Sequence, residues 1–168
     1  MVPPILSLML IIAAAQPQVL PQGITSAYTK LDLDHCDRAD NDEAQSPTWR
    51  CTGFGGVPLI VQSGDDRYDI DAGLEDADEF WAESFDYPGA TVEWRLQRGI
   101  PFAVIYRLVS SGDGRPRSSR LIVETIGREL PGCRVASIGG GLKHANELAR
   151  QAADRIATGG ATCMRADE

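Results

Sequence analysis

Charge is missing from the start of this chain: none of the first twenty-nine residues carries a charged side chain. Basic residues are also scarce, with 16 Lys and Arg against 24 Asp and Glu, which gives a net charge of -8 and a pI near 4.7. A phosphate backbone is repelled by that balance, so nucleic acid is excluded as the general partner, whereas solubility and a basic protein partner are favoured. The apolar stretch Ile5 to Ala15 (ILSLMLIIAAA), broken only by Ser7, ends at eleven residues where Gln16, Pro17 and Gln18 follow. That is short of the roughly 20 residues a membrane-spanning helix needs. Only two histidines are present, His35 and His144, and there is no C-x-x-C, so a zinc site lacks its usual ligand spacing. Neither G-x-x-x-x-G-K-[ST], G-x-G-x-x-G nor a G-x-S-x-G elbow occurs. No cofactor, metal or catalytic residue is therefore expected.

What is present fits an exported precursor. Eleven apolar residues suit the core of a signal peptide, and Ala13 and Ala15 at the -3 and -1 positions predict cleavage before Gln16. Met1 to Pro4 holds no Lys or Arg, so the amino terminus supplies the positive charge or the chain starts further upstream. No Cys stands directly after the apolar run, which argues against a lipid anchor. The expected organisation is a signal peptide over 1–15, a flexible uncharged leader over 16–27 (QPQVLPQGITSA), and one disulfide-bonded domain over 28–168 with no further membrane span. The expected location is the periplasm or the exterior.

All four cysteines, Cys36, Cys51, Cys133 and Cys163, lie beyond the expected cleavage point, and an even number in an oxidising compartment suggests two bridges. Of the three pairings, Cys36 with Cys51 and Cys133 with Cys163 is the expected one, because each brackets a local unit. Each closure would contribute ~3 kcal/mol in the chain-entropy view.

Hydrophobic patterning predicts strands over Tyr28 to Leu33, Thr48 to Phe54, Pro58 to Gln62 and Arg67 to Ile70, with turns at Gly55-Gly56 and Gly64-Asp65. Asp37 to Ser46 reads as a solvated acidic loop, and Leu74 to Ala82 as a short helix in an irregular segment. Thr91 to Leu96 alternates, with Val92, Trp94 and Leu96 on one face and Thr91, Glu93 and Arg95 on the other, the pattern of a half-buried strand. Phe102 to Leu108 is apolar on both faces at its start and should be central; Arg120 to Ile126 and Cys133 to Ile138 complete the set. A helix is predicted from Ala145 to Ala157, with Leu148, Ala149, Ala152, Ile156 and Ala157 as its apolar stripe, Asn146 as N-cap and Gly159-Gly160 as its stop. About seven strands and one late helix make an α+β domain, a mainly antiparallel sheet with the helix packed on it.

Trp49 to Asp71 (WRCTGFGGVPLIVQSGDDRYDID), Val92 to Leu96 (VEWRL), and Cys133-Arg134-Val135-Ala136 followed by Asn146 to Arg155 (NELARQAADR) together resemble an uncharacterised family of exported alphaproteobacterial proteins. The likeness runs from about Tyr28 to Cys163. It implies export and the cysteine framework and carries no catalytic residue with it.

Four of the eleven aromatic residues, Phe80, Trp81, Phe85 and Tyr87, fall in one acidic irregular segment. Aromatic anchors ringed by polar residues are what binding surfaces use, and the same rings also serve to tuck a loop onto a sheet. They are the candidate site of a non-enzymatic binding module that engages a protein or envelope component, for example a basic envelope-degrading enzyme. A second reading is an acid/base or metal-dependent hydrolase built on Asp69 and Asp71 with Glu93 or Glu124, since neighbouring carboxylates shift one another's proton affinity. A third is a structural envelope protein. Asp32 to Glu43 begins and ends like an EF-hand loop, but Cys36 and Asp37 stand where an oxygen ligand and a Gly are needed. Gly139 to His144 (GGGLKH) joins a strand to a helix, where glycine N–H groups can meet an anion, but it lacks the order of either nucleotide motif.

Overall fold

The longest strand grows out of the alternation noted at Thr91 to Leu96, and it is buried on both faces from Val92 to Leu96. The computed structural model describes residues 23–41, 46–64, 67–75, 86–110 and 117–164. Among them lie nine strands in two antiparallel sheets and one α-helix, an α+β fold with two strands more than expected. The larger sheet runs in the order β1 (Ile24–Lys30), β6 (Asp86–Gln97), β7 (Ile100–Ser110), β8 (Ser118–Thr125), β9 (Arg134–Gly139). The smaller runs β2 (Asp37–Asn41), β3 (Ser46–Phe54), β4 (Val57–Gly64), β5 (Arg67–Ala72). The helix α1 spans Ala145–Ala157.

The side chains of Val92, Trp94 and Leu96 on β6 join Val104, Tyr106 and Leu108 on β7 and meet Leu59, Val61, Ile70 and Ala72 of the smaller sheet. Burial of each large apolar side chain here contributes about 1.5–3 kcal/mol. Trp94 is wholly buried, and its indole N–H donates to Thr29 Oγ1 at 2.8 Å. A Cβ at Gly53 would stand 2.8 Å from the Trp94 ring and 2.1 Å from the Val57 carbonyl oxygen, so only glycine lets β3 pass this close. Gly55 and Gly56, at φ 61° and 81°, form the β3–β4 turn, as the sequence suggested.

The opposite face of the larger sheet packs on α1, and this corrects the half-buried reading of β6. Ala103, Ile105, Leu121 and Val123 meet Ala145, Ala149, Ala152 and Ala153, whose small side chains let the helix sit close. Leu148, expected in that stripe, is 40% exposed, because the buried stripe runs through the alanines instead. Asn146 is not the N-cap: His144 takes that position in the left-handed region at φ 63°, without a side-chain cap bond. The Asn146 amide oxygen accepts instead from Arg107 Nη2 at 3.3 Å.

Two further expectations give way to backbone pairing. Among the described residues the first strand starts at Ile24 rather than Tyr28, since Ile24 to Lys30 pairs along β6 from Gln97 back to Thr91. The end of the expected leader is thus a strand, recruited by a partner more than sixty residues away that no local pattern reveals. Asp37 to Asn41, expected as a solvated loop, pairs with β3, Asp37 facing Arg50 and Arg38 facing Trp49. The Cys36–Cys51 bridge holds this register, and polar side chains suit an outermost strand. The second bridge, Cys133–Cys163, ties the chain beyond α1 to the start of β9, where Met164 N–H donates to the Arg134 carbonyl at 2.8 Å. Both pairings are the expected ones. Leu74 and Glu75 are not helical, and 76–82 lies outside the described residues.

Candidate functional site

At one end of the sandwich the aromatic side chains form a row rather than a sealed core. Trp49 on β3 stacks on Tyr68 on β5 with ring centroids 6.2 Å apart and planes at 28°. Tyr68 in turn meets Tyr87 on β6 at 5.6 Å and 44°, so the row passes from the smaller sheet to the larger. Arg38 on β2 places its guanidinium 5.6 Å from the centre of the Trp49 ring, a cation–π contact at the outer end. Tyr87 is 43% exposed.

Beside Tyr68 and Tyr87 lies a groove of ≈ 520 Å³, closed on its other side by Lys30, Leu31, Asp32 and Leu33 where the chain leaves β1. Leu31 is buried and its N–H donates to the Ala90 carbonyl at 3.1 Å, which fixes that wall against β6. An adjoining recess shares Lys30 and Asp32 and reaches His35 and the Cys36–Cys51 bridge, with His35 Nδ1 3.0 Å from Asp32 Oδ2. The groove offers aromatic and aliphatic walls with one cation and one anion at its rim, the mixture that holds an apolar anchor with a polar fringe. Of the residues singled out in the sequence, Tyr87 lines this groove, while Phe80, Trp81 and Phe85 lie outside the described residues. Tyr68 and Trp49 were not assigned to a site, because their alignment with Tyr87 depends on which strands of different sheets come together.

The acidic residues proposed for catalysis are placed differently. Asp69, Asp71 and Glu124 are all buried, at 6%, 4% and 5% exposure. Arg134 on β9 bridges two of them, Nη2 donating to Asp69 Oδ1 at 3.3 Å and Nε to Glu124 Oε1 at 3.4 Å. The Tyr106 hydroxyl donates to Glu124 Oε1 at 2.6 Å and accepts from Arg134 Nη2 at 3.4 Å. Burial first, and the Glu124 charge second, push the Tyr106 hydroxyl well above its ordinary range. Burial alone would pull the Arg134 guanidinium down, but Tyr106, Glu124 and Asp69 around it outweigh this and raise it. These carboxylates are therefore engaged by a permanent cation inside the sandwich.

Glu93 belongs to another network on the helix side of the sheet. Arg150 donates to both of its oxygens, at 2.7 and 3.2 Å, and reaches the Tyr28 hydroxyl at 3.2 Å. Its hydrogen bond to Glu93 raises the Arg150 guanidinium against a smaller opposing effect of burial. Arg95 makes the matching two-pronged pair with Asp154, both bonds 2.9 Å long. Two positions two apart on β6 thus clasp two positions four apart on α1 with no net charge, which fixes the helix on the sheet. Among the described residues no group of three or more His, Cys, Asp or Glu side chains is placed to hold a metal ion, and no helix is long and apolar enough to cross a membrane.

Compared with known protein families, with curated proteins and with solved structures, the chain matches none.

Proposed function

We propose that this protein is an exported, non-enzymatic binding module of the cell envelope, and that it engages a protein partner through the aromatic groove beside Tyr68 and Tyr87. One observation carries the reading: Tyr87 closes a row of three aromatic rings and is still 43% exposed beside a concave wall. A core ring would be sealed, whereas a tyrosine held by its neighbours and open to solvent is a preformed anchor that loses little freedom on binding. Export is supported by the short apolar N-terminal segment and by two disulfides, which persist in an oxidising compartment. With a net charge of -8, a partner with a basic surface is favoured, such as a basic envelope-degrading enzyme.

The test is binding of the chain from Gln16 onward to a lysozyme, a basic enzyme of this kind, beside Tyr87→Ala and a Phe80→Ala, Trp81→Ala double variant. Loss of an anchor costs ~2 kcal/mol or more, so affinity should drop at least about thirtyfold in Tyr87→Ala while the fold is retained. Binding that all variants share would remove the groove from the reading. A carboxylate-based hydrolase gains no support from the arrangement, because Asp69 and Glu124 are engaged by Arg134 and Glu93 lies on the other side of the sheet.

A further inference from the structure

At the far end of β8 the glycine loop between β9 and α1 closes a second concavity, of ≈ 580 Å³, whose lining among the described residues contains two arginines and no carboxylate. Arg107 on β7 extends along its floor, with Nη1 donating to Ser119 Oγ at 2.8 Å and Nη2 to the Asn146 amide oxygen at 3.3 Å. Those two bonds orient the guanidinium on neutral acceptors, and among the described residues no carboxylate compensates its charge. Arg117, at the entry to β8, is exposed and has no carboxylate partner among the described residues. Ser118, Ser119 and Gly139 to Gly141 supply hydroxyls and backbone, and Val109 and Leu142 supply the apolar walls.

The glycine at 140 is a requirement of this geometry. Its N–H donates to the Ser119 carbonyl at 2.7 Å. A Cβ there would stand only 2.2 Å from Ser119 Oγ and 2.5 Å from Arg107 Nη1, so any side chain would displace both groups. The loop therefore packs its bare backbone against a cation and a hydroxyl. Elsewhere among the described residues buried or half-buried arginines are neutralised: Arg95 by Asp154, Arg120 by Asp86, Arg134 by Asp69 and Glu124, Arg150 by Glu93. Arg107 breaks that pattern in a protein with an excess of acids.

We infer that this concavity is a binding site for a phosphoryl group, taken up by Arg107 and Arg117 with Ser118, Ser119 and the Gly139 to Gly141 loop around it. Two guanidinium forks and two hydroxyls offer more donors than the two oxygens of a carboxylate accept, and the three or four oxygens of a phosphoryl group match them better. The site is independent of the aromatic groove, since the two share no lining residue. A soluble phosphate ester and a phospholipid headgroup present the same chemistry.

Binding is read by titrating isotopically labelled protein with inorganic phosphate and with glycerol 3-phosphate, and by co-sedimentation with phosphatidylglycerol vesicles against phosphatidylcholine vesicles. The expected result is a saturable shift of the Ser118, Ser119 and Gly139 to Gly141 amides. It should weaken at least tenfold in Arg117→Gln, an exposed change that leaves the fold intact, and in Gly140→Ala. Arg155→Gln, which removes the same charge from the exposed last turn of α1, should bind like the parent. Preference for phosphatidylglycerol vesicles would assign a headgroup, and preference for the soluble ester would assign a free ligand; both support the site. No saturable binding of any of the three, or an equal loss in Arg155→Gln, would overturn it.

Discussion

Replacing Arg134 by Met tests how the interior of the sandwich tolerates its acids. The guanidinium is 8% exposed and lies between Asp69 and Glu124, which are themselves 8% and 6% exposed as side chains. Its bonds are long, 3.3 to 3.4 Å, so the individual contacts are weak, and the larger effect of its loss is two carboxylates left buried without their cation. Breaking a buried ion pair from one side costs about 3–5 kcal/mol, which for a domain of this size lowers the melting temperature by ~10 °C or more. Without the cation the carboxyl groups bind protons more tightly folded than unfolded, so the deficit should be full at neutral pH and shrink as pH falls and they become neutral. Urea unfolding followed by tryptophan fluorescence at pH 7 and pH 4.5 measures both quantities. Asp69→Asn and Glu124→Gln added to Arg134→Met should recover most of the loss, since neither carboxylate that Arg134 bridges is then charged. A deficit under about 1 kcal/mol at pH 7, or one equal at both pH values, would refute charge compensation as the role of Arg134.

Tyr106 gives an alkaline counterpart. Its hydroxyl is held well above the ordinary value, so its contribution is complete below about pH 10 and is lost as pH rises through the higher folded value. The tyrosinate absorbance difference between the parent and Tyr106→Phe should therefore appear only as the fold is lost, and its appearance in folded protein would contradict the burial argument. Opening the Cys36–Cys51 bridge with paired alanines should cost ~3 kcal/mol and opening Cys133–Cys163 slightly more, because the second loop spans 30 residues against 15; chemical denaturation of each double variant gives the order. In the clasp on α1, a double-mutant cycle between Arg95 and Asp154 should show a coupling of about 1–2 kcal/mol, and the more exposed Glu93–Arg150 pair a smaller one.

Much of the architecture was legible because it is local. The helix over Ala145–Ala157, the central place of β7 and the turn at Gly55-Gly56 follow from periodicity and glycine, and the two bridges from bracketing of local units. β1 was legible only from Tyr28 on and β2 not at all, since their partners lie elsewhere in the chain and the composition of 24–27 and 37–41 resembles leader and loop. The candidate site was legible in part: Tyr87 was singled out by aromatic crowding, but Tyr68 and Trp49 joined it only through sheet packing.

The sequence by itself determined the α+β class, the disulfide framework and the excess of negative charge, because strand alternation, helical spacing and composition are written along the chain. Only the tertiary structure decided which charges meet. Glu93 and Arg95 read as a solvent face and became the clasp for α1; Asp69 and Glu124 read as candidate catalysts and became the partners of Arg134. A strand's second face has no fixed environment until another element covers it, so burial and pairing of its polar residues are properties of the packed molecule. The same holds for the two concavities, whose walls come from segments that are distant in the chain and adjacent only after folding.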